Sequence, residues 1–268
     1  MRNEYESRHS LSARRAAMSL WSMPQMSANT LKNLGTLLMA FYYFSASVVQ
    51  HGILHVAGRT TDELNALLAS DSRMMLWAGI GSVTSVIGVL AVPIFAWLLV
   101  QGVQHTASLR RYALRILAAA VIAEIPYDLA MSGRAFDWTG QNSLFTLLIA
   151  LGMLWLMRTF QGSGLVPLVL NLLFAAGGCF WAILLRCRFG GGFILITAIL
   201  YQLRQHKTAS YWLGALVSLL YAAAPLGFVP VALCCGKREP MSRRVQLCYY
   251  ILYPVMLLAF AGCAAVMR

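Results

Sequence analysis

Long runs of apolar residues, separated by short polar and charged stretches, dominate the chain. A helix that crosses a bilayer needs about 20 mainly apolar residues. Runs of this kind predict membrane-spanning helices at 33–50, 75–103, 112–131, 143–160, 165–185, 209–235 and 245–266. A further run, 190–203, is short and predicts either a thin helix or a re-entrant segment. The pattern therefore predicts an all-α, polytopic transmembrane bundle with seven or eight spans.

The run 75–103 is longer than a single span requires, and it contains Gly79, Gly81, Gly88 and Pro93. Because these residue types weaken helices, we expect this run to tilt, kink or break. No repeat of fixed period is visible, so we expect one polytopic domain at 33–268. Residues 1–32 form a basic segment that either lies on the membrane surface or is a disordered tail. The first thirty residues lack a signal-peptide pattern, so the first apolar run is expected to remain as an anchor.

Composition excludes a water-soluble domain. The chain is 59% hydrophobic and only 11% charged, whereas a soluble domain carries roughly 25% charged residues. The net charge of +12 comes from short basic clusters between apolar runs. This distribution favours contact with membrane lipids over a nucleic-acid-binding face, so we expect no nucleic acid partner. The cysteines form no CxxC pair, and we expect no metal site.

The positions of lysine and arginine predict how the first half is oriented. Basic residues precede the first run, and Arg110, Arg111 and Arg115 follow the second, which predicts that both regions are cytoplasmic. The segments 51–74 and 132–142 are then outside. The second half gives no consistent answer. If 190–203 spans, the basic residues at 237–244 fall outside; if it does not, those at 186–207 fall outside.

One cluster of polar residues follows the apolar run in VPIFAWLLVQGVQHT, residues 92–106. Four residues at a spacing of four share a helix face: Pro93, Trp97, Gln101 and His105. Arg111 and Arg115 repeat that spacing on the next element. Histidine exchanges protons near neutral pH, and arginine binds phosphate or carboxylate. The cluster is either a binding site or an ordinary polar helix end whose arginines set orientation.

A second cluster lies deep in the run 118–131. A carboxylate at such a depth is a functional candidate by default, and Glu124 is followed at i+4 by Asp128. Pro126 disfavours helical geometry at Ile125. Glu124 lies roughly 20 Å along the helix from the cytoplasmic arginines, level with Asn142 at the start of the next run. The alternative is a structural carboxylate that pairs across helices.

Two histidines, His51 and His55, end the first predicted span at i and i+4. Such a pair can bind a metal ion, but no carboxylate or cysteine lies beside it in the sequence. An interfacial pair of histidines exposed to water is therefore the preferred interpretation.

Several short motifs occur in order within residues 86–157. They are Pro-x-Phe in a span, Gly-x-x-His-Thr at its end, Tyr-x-x-Arg, Glu-Ile-Pro-Tyr and Asn-x-x-Phe-Thr-Leu. In this set the chain resembles the TraX family of bacterial membrane proteins, which is associated with conjugal transfer and credited with N-acetylation of pilin. No resemblance is visible beyond about residue 165. The family pattern matches Pro93, Phe95, Gly102, His105, Thr106, Tyr112, Arg115, Glu124, Pro126, Tyr127, Asn142, Phe145 and Thr146.

The resemblance and the polar clusters together predict a multi-pass acyltransferase of the bacterial inner membrane. It would move an acetyl-type group from acetyl-CoA or another acyl-CoA to pilin or another cell-surface acceptor. The expected catalytic residues are His105, Glu124, Asp128, Asn142 and His51. The expected donor-binding residues are Gln101, Arg111 and Arg115, and His105 is the expected general base. The second polar cluster is expected to form a separate opening through which the acceptor enters.

The chain departs from the family pattern at two positions. Family members usually carry an Asp-His pair in the first span, where this chain reads AFYYFSASVVQHGIL, and a Gly-Arg pair where it has Gly88-Val89. If the Asp-His pair transfers protons, that role passes here to His51 or His105. Two other functions therefore stay open: a proton-coupled transporter of small solutes, and a non-enzymatic membrane partner of a pilus or secretion system.

Overall fold

The computed structural model describes residues 26–162, 164–234 and 242–267 of the chain. Within these ranges most residues are helical, and the extended contacts are two isolated backbone bridges, Met26 with Cys234 and Gln141 with Cys187. The predicted all-α class is confirmed. Residues 1–25 of the predicted basic segment and the basic residues at 237–238 lie outside the described residues.

The first half of the bundle is built from six α-helices. The first predicted span is helix α1 (Ala28–Tyr43), which continues as a π-helix (Phe44–Ile53). A 3-10 turn (Val56–Gly58) and helix α2 (Thr61–Ser70) connect it to the next long run. The remaining helices are α3 (Ser72–Gly88), α4 (Ala91–His105), α5 (Leu109–Ser132) and α6 (Ser143–Thr159).

The second half contains shorter helices and more turns. Helices α7 (Leu165–Leu184) and α8 (Gly190–Gln202) form a hairpin. Helix α9 (Lys207–Ser218) is followed by 3-10 turns at Leu219–Tyr221 and Ala224–Gly227 and by helix α10 (Phe228–Ala232). Helix α11 (Arg243–Val266) ends the described part of the chain.

Three helical stretches of the described chain are long and apolar enough to cross a membrane: Ser72–His105, Leu165–Leu184 and Val245–Val266. The first of these is the long run 75–103, and it breaks as expected, at a two-residue turn between α3 and α4. Helices α6 and α8 are apolar but shorter. The chain is thus a helical membrane protein, and the count of seven or eight spans stays a prediction.

The predicted single span at 209–235 is wrong, because α9 ends in a turn at 219–227 and α10 runs back. Pro225 lies in this turn, and Ala222 adopts a positive φ of 52°. Hydrophobicity alone could not reveal the turn, since its residues are as apolar as those of the flanking helices. The backbone N–H of Met26 donates to the carbonyl of Leu233 at 3.1 Å, so the segment returns to the start of α1.

Most basic side chains of the described residues lie at one end of the bundle, which we call the basic end. Residues at the starts of α1, α5 and α11 and at the end of α4 line one cavity there. The Arg158 guanidinium donates to the Val103 carbonyl at 2.9 Å, and Gln161 donates to the Tyr201 hydroxyl, so α6 and α8 also end there. The basic end therefore includes Lys32, Arg110, Arg111, Arg115, Arg158, Arg204 and Lys207.

This arrangement removes the conflict in the second half of the predicted topology. Both predicted alternatives left a basic cluster outside, because each assumed one full span at 209–235. With that segment folded as a hairpin, the chain enters α11 from the basic end. The far end of α11 lies beside the π-helix, where a Cβ on Gly52 would come within 2.8 Å of Ala264. The positive-inside rule then predicts that the basic end faces the cytoplasm.

We expect the loop that contains α2 to be outside the cell. In a variant without native cysteines, a cysteine that replaces Asp62 should react with an impermeant thiol reagent added to whole cells, because the basic end faces inward. A cysteine that replaces Arg111 should react only after the membrane is opened. Protection of position 62 from outside would reverse the orientation.

Helix α5 runs without interruption from Leu109 to Ser132, with Pro126 inside it. The predicted loss of helical geometry at Ile125 is therefore wrong. In lipid a broken helix exposes several backbone groups to a medium without hydrogen-bond partners, whereas an internal proline leaves few such groups to satisfy. The uninterrupted helix therefore has the lower free energy in a membrane.

The last residues of the connection 133–142 meet the connection 185–189 beside α5. The Gln141 N–H donates to the Arg186 carbonyl at 3.3 Å, and the Arg188 N–H donates to the Gln141 carbonyl at 3.0 Å. Non-helical backbone is tolerated at membrane depth only where protein groups satisfy it. Asn142, just before α6, donates to the Ala120 carbonyl in the middle of α5, so α6 starts partway along the bundle.

Candidate functional site

A cavity of about 670 Å³ opens between helices at the basic end. Its lining positions on α4 run from Val92 to His105, roughly 20 Å apart at 1.5 Å per residue. Its volume is within the range of about 300–1,000 Å³ that is typical of ligand sites. The middle of the cavity is apolar, with walls formed by Met39, Phe95, Leu98, Leu99, Leu144, Leu147, Phe193 and Met256.

The mouth of the cavity carries cationic and polar side chains. We define it by Asn29, Lys32, His105, Thr106, Tyr112, Arg115, Gln246 and Tyr249. His105 and Arg115 are exposed, and Nδ1 of His105 lies 2.9 Å from the Gln101 carbonyl. The Lys32 ammonium lies 3.6 Å from the centre of the Tyr249 ring. The mouth therefore offers positive charge and an imidazole to a ligand that enters from the basic end.

The floor of the cavity, at its inner end, carries hydroxyl groups. We define it by Ser143, Thr146, Phe189 and Tyr253, all of which line the cavity. Tyr43 lies behind them and is fully buried. Its hydroxyl donates to Ser143 Oγ at 3.1 Å and lies 2.9 Å from the Tyr253 hydroxyl, and Ser143 Oγ lies 3.2 Å from that hydroxyl. Three hydroxyls from α1, α6 and α11 thus form a closed triangle.

Glu124 and Asn142 hold the start of α6 in place. The Asn142 amide donates to a Glu124 carboxylate oxygen and, at 2.9 Å, to the Ala120 carbonyl. Its Oδ1 accepts the Leu144 N–H at 2.9 Å and so caps the helix. Glu124 Oε1 is buried without a hydrogen-bond partner among the described residues. The two residues lie at one level, as helix geometry predicted, and Ser143 follows directly on the cavity floor.

Asp128 anchors the connection 133–142 to α5. It is buried, and its Oδ2 accepts the Asp137 N–H at 3.0 Å. Asp137 in turn accepts the Thr139 N–H at 3.0 Å, and this backbone bond lowers the pKa of the Asp137 carboxyl. The buried carboxylate therefore fixes the loop that leads to Asn142, and it does not line the cavity.

Arg188 is a half-buried cation behind the floor, and no motif of the sequence marked it as a site residue. Its Nε donates to the Tyr42 hydroxyl at 2.6 Å, and its guanidinium lies 5.1 Å from the centre of that ring. The Arg188 carbonyl accepts from the Thr146 hydroxyl. Its neighbour Phe189 has a positive φ of 62°, in the region that favours glycine. A strained backbone beside a cavity is a signal of function that only the structure reveals.

The predicted site residues divide into groups. His105 and Arg115 line the cavity at its mouth, while Gln101 and Arg111 lie next to the mouth but not in the lining. Asn142 and Glu124 support the floor from behind. The separate mouth predicted for an acceptor is closed in the structure, since Asn142 is fully buried. Both polar clusters instead adjoin one cavity.

The histidines of the first span lie far from this cavity. His51 is half-buried in the π-helix, next to Gly52, which packs on the C-terminal end of α11. His55 has a positive φ of 51°, and its Nδ1 lies 3.1 Å from the Ile53 carbonyl. Across residues 26–162, 164–234 and 242–267, no three His, Cys, Asp or Glu side chains are grouped closely enough to hold a metal ion.

Sequence reasoning missed the residues that complete the cavity: Lys32, Tyr43, Ser143, Tyr249 and Tyr253. The contact between Tyr43 and Tyr253 joins residues 210 positions apart. Tyrosine and serine are common in membrane helices, so no local pattern marks these residues. A weak signal was available in the proximity of Ser143 to the Asn-x-x-Phe-Thr-Leu motif.

One curated protein resembles part of the chain. Over 145 residues, 34% are identical to those of a probable fimbrial assembly protein, FimC of serogroup H1, from Dichelobacter nodosus. The match covers 51% of this chain and 57% of that protein, so the chain spans little more than half the length of this relative. No solved structure matches the chain.

A family profile extends the similarity well beyond the motifs. The profile described as TraX protein matches residues 27–264 and thus includes the C-terminal helices, where no resemblance was visible beyond about residue 165. The match covers the cavity mouth, the floor and α11, which supplies Tyr253. With most of its length matched, the chain belongs to the TraX protein family.

Proposed function

We propose that this protein is a membrane-bound acyltransferase that takes an acyl group from acyl-CoA at the basic end and transfers it to an amine or hydroxyl. The observation that carries the proposal is the single cavity with a cationic mouth, an apolar middle and a floor of hydroxyl groups. A linear acyl donor fits these surfaces, because its phosphates can lie at the cationic mouth and its carbonyl group at the hydroxyl groups of the floor. The resemblance in the motifs of residues 86–157 points to the same activity.

The dimensions of the cavity suit such a donor. The arm that joins the phosphates of coenzyme A to its sulfur has roughly the bond count of four to five extended residues, or about 15 Å. The lining of α11 from Gln246 to Met256 spans about 15 Å as well. With the phosphates at the mouth, the thioester reaches the floor. Lys32 and Arg115 are then the cations nearest the phosphates.

The remaining predicted residues support this site in different ways. Glu124 and Asn142 position the floor through the start of α6, and Asp128 holds the loop before it. Gln101 orients the His105 ring through its carbonyl. Arg111 adds positive charge beside the mouth, and His51 has no part in the site. No metal enters the proposed chemistry.

Pilin or another cell-surface molecule is the proposed acceptor. The relative from Dichelobacter nodosus carries the name of a fimbrial assembly protein, which favours a pilin subunit. Leu252 borders the cavity and is 46% exposed on the outer surface of α11. An acceptor that is held in the bilayer has a side approach to the floor there. The name of the relative also favours a second function, assembly of pili without any reaction.

Arg115→Ala should raise the KM for acyl-CoA about ten-fold and leave kcat nearly unchanged, because the side chain binds phosphate and does not react. Arg111→Ala is the matched control, since Arg111 is exposed one turn earlier on α5 and does not line the cavity. It should change KM by less than about three-fold. The assay uses purified protein, labelled acyl-CoA and pilin or extracted surface material.

Mass spectrometry of pilin and surface fractions tests the activity itself. Cells with the protein should carry an acyl group that cells without it lack. If pili assemble normally only with the protein but no molecule is acylated, the assembly function is correct and the enzyme is excluded. In the assay with purified protein, a loss of about 100- to 10,000-fold in kcat for His105→Ala would support the general base predicted from the sequence. A rise in KM alone would assign His105 to donor binding.

A further inference from the structure

The hydroxyls of Tyr43, Ser143 and Tyr253 form the hydroxyl triangle at the cavity floor. Two of the three face the cavity, where a ligand can reach them. Tyr43 is fully buried, whereas Ser143 and Tyr253 belong to the cavity wall. The Tyr43 hydroxyl donates its proton to Ser143 Oγ. Two further hydroxyl protons, those of Ser143 and Tyr253, lie next to the cavity. The triangle is therefore a pair of cavity-facing donors with a third hydroxyl that supports them.

The hydrogen-bond count allows one of these protons to turn towards a ligand. A hydroxyl has one proton and two acceptor lone pairs. Tyr253 also lies 3.2 Å from Ser143 Oγ, so its hydroxyl keeps one partner when its own proton leaves Tyr43. Because a hydroxyl rotates easily, a ligand oxygen can replace one partner within the triangle. Thr146 cannot compete, since its proton is bound to the Arg188 carbonyl.

The surroundings of the triangle favour an oxygen that gains negative charge. Ser143 is the first residue of α6, where the helix dipole places partial positive charge. The charge of Arg188 also acts on Tyr43 from behind the floor. Donors that are held in place before the reaction and aimed at a developing negative charge are a large part of catalysis in acyl transfer.

We propose that the hydroxyls of Ser143 and Tyr253 bind the carbonyl oxygen of the acyl thioester; this inference rests on the proposed function. Phe189 and Phe193 line the cavity around the hydroxyls and leave room for a short acyl group. The acceptor amine forms a bond to the carbonyl carbon, and the two hydroxyls stabilise the negative oxygen of the tetrahedral intermediate. The carbon–sulfur bond then breaks, and the proton from the amine ends on the coenzyme A thiolate.

Two unreactive analogues of acetyl-CoA test this assignment. One is a ketone that keeps the carbonyl group, and the other is S-ethyl-CoA, a thioether that lacks it. The wild-type protein should bind the ketone about ten-fold more tightly than the thioether, the effect of one or two good hydrogen bonds. In Tyr253→Phe and in Ser143→Ala this ratio should fall to about three, because each variant removes one of the two donors.

Tyr250→Phe is the matched control, since Tyr250 lines the same cavity one turn earlier on α11. It should shift the affinity for both analogues alike and leave their ratio at the wild-type value. A ratio that stays at the wild-type value in both Tyr253→Phe and Ser143→Ala overturns the carbonyl assignment while leaving the donor site intact. If the wild-type protein binds neither analogue, acyl-CoA is not the donor, and the proposed carbonyl binding by Ser143 and Tyr253 fails as well.

Discussion

Gly88→Ala is expected to destabilise the protein by about 3 kcal/mol or more. A Cβ at this position would lie 2.5 Å from the backbone nitrogen and from Cβ of Tyr42. Because the obstacle includes backbone, rotation of a side chain cannot relieve the clash, and α3 would have to move away from α1. The midpoint of thermal unfolding in detergent should fall by roughly 10 °C.

Gly79→Ala provides the control for this prediction. Gly79 lies in the same helix, and a Cβ there would meet no atom within 4 Å. Alanine favours a helix over glycine by about 1 kcal/mol, so this variant should be as stable as the wild type or slightly more so. Equal unfolding midpoints for the two alanine variants would show that α3 and α1 do not approach closely at Gly88.

Asn142→Asp is expected to cost about 3 kcal/mol of stability and most of the activity. The new carboxylate would face Glu124, whose oxygen now accepts from the Asn142 amide, and it would also face the Ala120 carbonyl. Repulsion at this point pushes the start of α6 away from α5. Since Ser143 is the next residue, the cavity floor moves with it. Thermal unfolding and acyl-CoA binding measure the two effects.

A second substitution separates charge repulsion from a loss of packing. In Asn142→Asp combined with Glu124→Gln, the amide and the carboxylate exchange places, and one hydrogen bond between the side chains is restored. Part of the lost stability should return, whereas Glu124→Gln alone should have a small effect, because a glutamine oxygen still accepts from Asn142. A double variant no more stable than Asn142→Asp would show that the two side chains are not coupled.

The apolar runs of the sequence predicted the helices well where a helix is long. α5, α6, α7 and α11 lie within a few residues of their predicted spans. The hairpin at 209–235 was missed, because the turn at 219–227 is itself apolar and hydrophobicity reports burial in lipid, not chain direction. The effect of Pro126 on the helix was also overestimated. The steric preference of a proline against helical geometry at Ile125 is weaker than the cost of leaving backbone groups of α5 without hydrogen bonds in lipid.

The candidate site was predicted in part. The repeat of polar residues on α4 located His105, and the depth of Glu124 predicted that Asn142 would lie at its level. The sequence could not predict that one cavity joins both regions, because contacts such as Tyr43 with Ser143 and Arg188 with Tyr42 link residues 100 and 146 positions apart. Such contacts depend on how helices pack, which no periodic pattern encodes.

The meeting of the connections 133–142 and 185–189 also constrains how the protein is made. Asp128 holds the earlier part of the first connection, whereas the N–H and the carbonyl of Gln141 are bonded to Arg186 and Arg188 in the second connection. While a ribosome is still adding residues, the backbone groups of Gln141 lack these partners, and lipid offers no others. Its descent into the bundle must therefore wait until the α7–α8 hairpin has emerged. In a chain arrested before residue 190, the backbone at 141–142 should be more accessible to proteases than it is in the full-length protein.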